Sequence, residues 1–318
     1  MSKRAPRTVS ARVAAPSSPD EPVSPARRTV VVVPCFNEER RIDTQGVAAL
    51  AASEAVSLLF VDDGSTDRTA EVLTALAAAH EDVEVLSLEA NVGKAEAVRR
   101  GMALALAQHV PAVAYYDADL ATPPEELLRL VCALEADPAL MGVLGSRVAR
   151  MGSAIDRRAV RHYLGRAYAT LASLALGVTV YDTQCGAKVF RASDALRAAV
   201  SEPFRSSWAF DVELLQRLLA GAPGVAPVPE AAFVEVPLVR WCDIGGSKLH
   251  IGAKAHALFD LLAIARAARR APRGTRPGKQ VPAGPPAGAV PLAPPPGEPA
   301  GGLGTRPARS EPARGGTR

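Results

Sequence analysis

The 318-residue chain predicts an α/β protein whose mostly parallel sheet is flanked by helices, with further amphipathic helices in its C-terminal half. Two observations carry this expectation. Short apolar runs rich in β-branched residues alternate with stretches whose apolar residues recur every three or four positions. Polar residues gather directly after the apolar runs, and in open parallel sheets the ligand sits outside the carboxyl ends of the strands.

Taken in order, residues 30–33, 58–61, 83–88 and 113–116 read as buried strands, and 38–52, 66–79, 94–108 and 124–136 as the helices that follow them. Continuous apolar strands separated by helices belong to a parallel sheet covered on both faces. The first strand runs into Pro34-Cys35-Phe36-Asn37-Glu38, and the second into Asp62-Asp63-Gly64-Ser65. The third leads to Asn91-Val92-Gly93-Lys94, and the fourth ends in Asp117-Ala118-Asp119. Beyond Gly145-Ser146-Arg147 the alternation weakens. A long helix over 156–176, Asp182-Thr183-Gln184-Cys185-Gly186, Trp208-Ala209-Phe210-Asp211 and an amphipathic helix over 249–268 follow.

Composition bounds the function. With 48% hydrophobic residues the chain can bury a sizeable core. Its net charge of +4 resides in the ends: residues 1–28 hold six Lys/Arg against two Asp/Glu, and 269–318 nine against two, which leaves the middle at −7. The basicity is therefore not a nucleic-acid-binding face, and no nucleic acid partner is expected. Residues 1–28 and the Pro/Gly/Arg-rich 271–318 read as disordered tails around one domain, 29–270. In that domain 29–146 reads as the nucleotide half and 147–270 as the acceptor half. The four cysteines lie far apart, which argues against a zinc site or a disulfide scaffold and suits a reducing cytosol. No secretory leader is evident. The longest uncharged apolar stretch, residues 167–181, is shorter than the roughly 20 residues a spanning helix needs.

Several residues carry chemistry, each with an ordinary reading beside it. Asp117 and Asp119 flank one alanine at a strand end, where alternation sends both carboxylates to one side, as a hard divalent cation on a diphosphate requires. Alone such a pair is a solvated loop; its position after the fourth strand favours the metal. Asp62-Asp63-Gly64-Ser65 can cap the next helix or hold a ribose or base. Asn91-Val92-Gly93-Lys94 opens a helix, where backbone N–H groups favour anions. Arg147, Arg157, Arg158, Arg161 and Arg166 form either a solvated basic face or a phosphate site. Trp208 and Trp241 read as core or rim aromatics, His162 as packed or surface, and Cys185 as structural.

In order, VVVPCFNEE, FVDDGSTD, NVGKAEAVRRG, DADLATPPEEL, GSR, YDTQCGAKVF, WAFDVELL and WCDIGGSKL resemble family 2 glycosyltransferases of GT-A fold. They look most like the dolichyl-phosphate β-glucosyltransferases and related polyprenyl-phosphate enzymes. The resemblance implies an inverting transfer of a sugar, glucose from UDP-glucose, onto a polyprenyl phosphate, with Mg²⁺ or Mn²⁺ as cofactor; the alternatives are a family 2 transfer from GDP-mannose or to a non-lipid acceptor and, least favoured, a non-catalytic nucleotide-sugar sensor. It implies that Pro34, Phe36, Glu38, Asp62 and Asp63 hold uridine and ribose, with Lys94 near the donor. Asp117 and Asp119 would carry the metal, and Arg147 and Lys188 would lie near phosphates. Asp182, Gln184, Trp208 and Asp211 would shape the sugar and acceptor side, with Asp119, Asp182 and Asp211 as the catalytic acids. The chain departs from its relatives at Ala187, where they usually have an aromatic residue, and in lacking the transmembrane segment of the eukaryotic enzymes. Apolar stripes edged by arginines on the 156–176 and 249–268 helices suit peripheral attachment to an anionic membrane on its cytoplasmic face.

Overall fold

A computed structural model describes residues 28–156 and 159–242, with position 263; the side chains of 159–164 are outside that description. The expected tails, the 249–268 helix, Arg157, Arg158, Arg161 and His162 therefore lie outside the described residues. The strands are β1 (Thr29–Cys35), β2 (Val56–Asp62), β3 (Val83–Ser87), β4 (Ala112–Tyr116), β5 (Gly142–Ser146), β6 (Ala154–Asp156), β7 (Ala187–Arg191), β8 (Phe233–Pro237) and β9 (Arg240–Cys242). The helices are α1 (Thr44–Ala51), α2 (Thr69–Ala79), α3 (Lys94–Ala107), α4 (Pro124–Ala136), α5 (Ala159–Leu176), α6 (Asp194–Ser201) and α7 (Phe210–Ala220).

Seven strands form one sheet in the order β3-β2-β1-β4-β7-β5-β8, and β6 pairs with β9 in a second. All neighbours in the large sheet run parallel except β7, which is antiparallel to both β4 and β5. Side-chain alternation along the parallel strands builds two cores. Val30 and Val32 point into a layer with Val98 and Met102 of α3 and Leu214 of α7. Val31 and Val33 face Val47 of α1 and Leu127 and Leu130 of α4. Gly101 lets α3 lie directly on β1, since a Cβ there would meet Val32 at 2.4 Å.

Two helices start later than the sequence suggests. Asn37 takes a left-handed φ of 53°, so 38–43 is a turn, and the Asp43 carboxylate accepts from Gln45 N at 3.0 Å to begin α1. Residues 66–68 likewise form a loop, whose Asp67 accepts from Thr69 N at 2.9 Å. Strand β7 was not foreseen. Five residues of which two, Lys188 and Arg191, are basic give no local sign of a central strand.

Candidate functional site

The chain order reverses between β1 and β4, and the carboxyl ends of β1, β2 and β4 open there into one cleft. Just past β4, Asp117 donates its backbone N–H to Gly186 O at 2.9 Å. Its Oδ1 accepts from Lys94 Nζ at 2.6 Å and from the Tyr115 hydroxyl at 2.9 Å. Leu120, at φ 49°, turns the chain back, and Asp119 Oδ1 accepts from Ala121 N at 3.2 Å. Asp119 Oδ2 accepts from Arg41 Nη2 at 2.7 Å, and Arg41 also pairs with Glu38. Burial pushes the Asp117 carboxyl up, yet the Lys94 charge and hydrogen bond and the Tyr115 hydroxyl outweigh it and hold the group below its usual value. Asp119 is raised, by burial and then by the charge of Asp117. Two carboxylates this close repel, and a divalent cation between them relieves both.

On the nucleotide side, Pro34 is buried in β1 beside Val61, and Asp62 Oδ1 accepts from Ser65 N at 3.1 Å. The next two loops are laced together, since Asn37 Oδ1 accepts from Thr66 N at 2.8 Å and Ser65 Oγ from Asn37 N at 3.0 Å. This fixes Phe36 and Glu38, both partly buried, at the cleft wall. Asp63 has an inward task. Its carboxylate accepts from Val92 N at 2.7 Å, Gly93 N at 2.9 Å and Asn91 Nδ2 at 2.9 Å, with Gly93 at φ 90°. The N–H groups of Val92 and Gly93, just ahead of α3, are thus taken by Asp63. Burial raises the Asp63 carboxyl despite them.

Across the cleft, Arg147 forks onto Asp182: Nε meets Oδ2 at 2.7 Å and Nη2 meets Oδ1 at 2.8 Å, while the Arg147 backbone N–H donates to Oδ2 at 3.1 Å. The guanidinium lies 5.4 Å from the Trp241 ring centroid. Glu235 holds the other side of this loop by accepting from Tyr181 N and Asp182 N at 2.6 and 2.8 Å. Gln184 donates to Trp208 O at 3.3 Å, and Trp208 packs edge-on against Tyr168 at 4.6 Å. A small cavity of about 30 Å³ is lined by Arg147, Tyr168, Asp182, Thr183 and Gln184. Arg166 lies over the Tyr181 ring at 3.5 Å.

Two expected site residues sit below the cleft rather than in it. Lys188 is 1% exposed; its Nζ meets Asp211 Oδ1 at 3.1 Å and also donates to Cys185 O. Burial raises the Asp211 carboxyl against the pull of Lys188. A lysine expected at a phosphate is in this structure the buried partner of an expected catalytic acid, because β7 turns it inward in mid-sheet. Cys185 is fully buried, and burial pushes its thiol up to about 11, as befits a structural cysteine. Trp241 is a core residue and Trp208 is half-buried.

Sequence reasoning missed Arg41, Tyr115, Gly186, Glu126 and Glu235. Tyr115 could have been found, since it stands two positions from Asp117 at the end of one strand. The other four act across the chain and leave no local signature. Among the described residues no group of three or more His, Cys, Asp and Glu is placed to hold a metal, and Asp117 and Asp119 are paired with Lys94 and Arg41.

The family model described as Glycosyl transferase family 2 matches residues 30–196. The chain belongs to that family. It is 32% identical to a dolichyl-phosphate beta-glucosyltransferase of Trichomonas vaginalis over 250 residues, covering 74% of this chain and 70% of the relative. It is 29% identical to a polyprenol monophosphomannose synthase of Mycolicibacterium smegmatis over 208 residues, covering 65% and 78%. Among solved structures, glucosyl-3-phosphoglycerate synthase of Mycobacterium tuberculosis in complex with Mn²⁺, UDP-glucose and phosphoglyceric acid superposes with a TM-score of 0.55 at 22% identity, covering 78% of this chain and 82% of that one. The fold is of GT-A type, and this family 2 member is a glycosyltransferase. Among the described residues no helix is long and apolar enough to cross a membrane.

Proposed function

We propose that this glycosyltransferase inverts the anomeric centre of UDP-glucose while transferring glucose to a polyprenyl phosphate, at the cytoplasmic surface of an anionic membrane. The observation that supports it best is the pair of carboxylates, Asp117 and Asp119, just past β4, with a separate basic group, Arg147, near enough to feel the charge of Asp117. The names of the relatives support a dolichyl or polyprenol phosphate acceptor, and that of the Trichomonas vaginalis relative supports glucose as the sugar.

Two carboxylates suit Mg²⁺ or Mn²⁺, which keep positions free for diphosphate oxygens and water. When bound, the cation neutralises charge on the departing diphosphate. Asp117 and Asp119 would hold it, and Lys94 would place a further positive charge beside that leaving group. Pro34, Phe36, Glu38 and Asp62 would frame uridine and ribose, with Asp63 fixing the 91–93 turn behind them.

A phosphate acceptor is already anionic near neutral pH, so its oxygen can attack the anomeric carbon without a strong base. That fits the site's acids. Asp182 is held by Arg147 and Asp211 by Lys188, so neither carboxylate stands ready to take a proton from a hydroxyl. Arg147 would orient the acceptor anion, with Gln184 and Trp208 beside it. Apolar Leu171 and Leu174 on α5, 43% and 74% exposed, would meet the bilayer in which such an acceptor resides.

The test supplies radiolabelled UDP-glucose or GDP-mannose with Mn²⁺ and polyprenyl phosphate, followed by lipid extraction. Label from UDP-glucose in the lipid phase is expected. Lipid label from GDP-mannose instead, or label found only on a water-soluble acceptor, overturns the assignment.

A further inference from the structure

Glu126 lies in the first turn of α4, seven residues beyond Asp119, yet it is 4% exposed, and its carboxylate is divided between Arg129 on its own helix and a turn far along the chain. Its Oε1 accepts from the backbone N–H groups of Val239 and Arg240 at 2.9 and 3.0 Å. Its Oε2 accepts from Arg129, whose Nη2 in turn donates to Pro237 O at 2.7 Å. One carboxylate therefore grips the turn between β8 and β9. The next strand carries Trp241, whose ring backs the Arg147 guanidinium, and Cys242 N returns to Ala121 O at 3.0 Å.

We propose that Glu126 is a positioning residue that latches the β8–β9 turn to the metal-bearing loop, so that Trp241 holds Arg147 at the angle needed for the acceptor anion. This rests on the acceptor role given to Arg147 above. A guanidinium that already forks onto Asp182 has one face left to be fixed, and an aromatic ring against that face fixes it. The two sides of the latch differ in their other supports. The metal loop keeps the Ala121–Asp119 hydrogen bond and the bond from the Tyr116 hydroxyl to Thr122 O. Among the described residues, strand β9 keeps its three-residue pairing with β6, the Ala154 N bond to Val239 O, the single bond from Cys242, the packing of Trp241 and an exposed Arg240–Glu125 ion pair, which solvent leaves weak. Loss of Glu126 should therefore loosen the acceptor side and spare the donor side.

Steady-state kinetics of Glu126→Ala and Glu126→Gln decide it, with donor and acceptor varied separately. Two part-buried N–H groups left without an acceptor cost enough that Glu126→Ala should raise the acceptor KM about tenfold. Donor KM should stay within about twofold, and Glu126→Gln, which keeps an acceptor oxygen for Val239 and Arg240, should recover most of the loss. An unchanged acceptor KM in both variants overturns the proposal. So does a parallel rise in both KM values tracking a fall in melting temperature, which is the mark of general loosening. The comparison uses whichever acceptor the wild type glycosylates, so an error in the acceptor's identity would show in the wild type and an error about the latch only in the variants.

Discussion

Gly186 leaves no room for a side chain beside Asp117: a Cβ at position 186 would stand 2.2 Å from Asp117 Oδ2, while the glycine carbonyl accepts the Asp117 backbone N–H at 2.9 Å. The glycine of β7's approach loop thus sets the depth at which the first carboxylate of the pair can lie.

Gly186→Ala should therefore fold but push Asp117 away from Lys94 and Tyr115. Displacement of about 1 Å at a reacting centre costs on the order of 100-fold, and that loss of turnover is expected here. Turnover equal to wild type, with an intact melting curve, would show that the cleft can take up the methyl group.

Asp119→Asn should keep the fold and lose most turnover, because one charge is removed from the proposed metal centre. Arg41, its partner at 2.7 Å, keeps Glu38 and an amide oxygen of the new asparagine as acceptors. Electron paramagnetic resonance of Mn²⁺ with UDP reads the metal directly; binding as tight as wild type would remove Asp119 from the centre.

Lys188→Met should be severely destabilising, by about 3–5 kcal/mol, because it leaves Asp211 buried without its cation. The double variant Lys188→Met/Asp211→Leu should recover much of this. Chemical denaturation of the three proteins measures it, and additive losses would mean the two groups do not act as a pair.

Glu96 ties α3 to α6 through Arg99, which donates to Val200 O at 3.0 Å. Its carboxyl is held below the usual 4.5, chiefly by the hydrogen bond from Arg99. A depressed carboxyl stabilises the fold above its unfolded pKa and loses that contribution as pH falls through the folded one. Glu96→Gln should therefore melt lower than wild type at neutral pH, and the gap should close as pH falls through and below 4.5. A constant gap across that range would assign the effect to packing.

Leu171→Asp/Leu174→Asp should weaken flotation with anionic vesicles while leaving the melting temperature unchanged, since both side chains point outward from α5. Undiminished flotation would move the membrane contact elsewhere on the chain.

The parallel half of the fold was legible because its cause is local. Val30 to Val33 and Leu58 to Val61 are apolar without interruption, as strands covered on both faces must be, and the helices between them repeat at helical spacing. The cleft was legible for the same reason: Asp62, Asp117 and Asp119 follow directly on strand ends, and strand ends converge. What failed was direction and depth. Asn37 in a left-handed conformation turned 38–43 out of the expected helix, and with it Arg41 toward Asp119.

The sequence by itself therefore determined the layered α/β architecture and the gathering of Asp62, Asp117 and Asp119 at neighbouring strand ends, since both follow from the order of apolar runs and the polar residues that end them. Tertiary structure alone decided that β7 enters antiparallel between β4 and β5, that Lys188 is buried against Asp211, that Asp63 serves the 91–93 turn, and that Glu126 grips residues more than a hundred positions away. Those outcomes depend on which distant backbone groups need a partner once the sheet has closed over them, and a charged residue's neighbours in sequence carry no record of that.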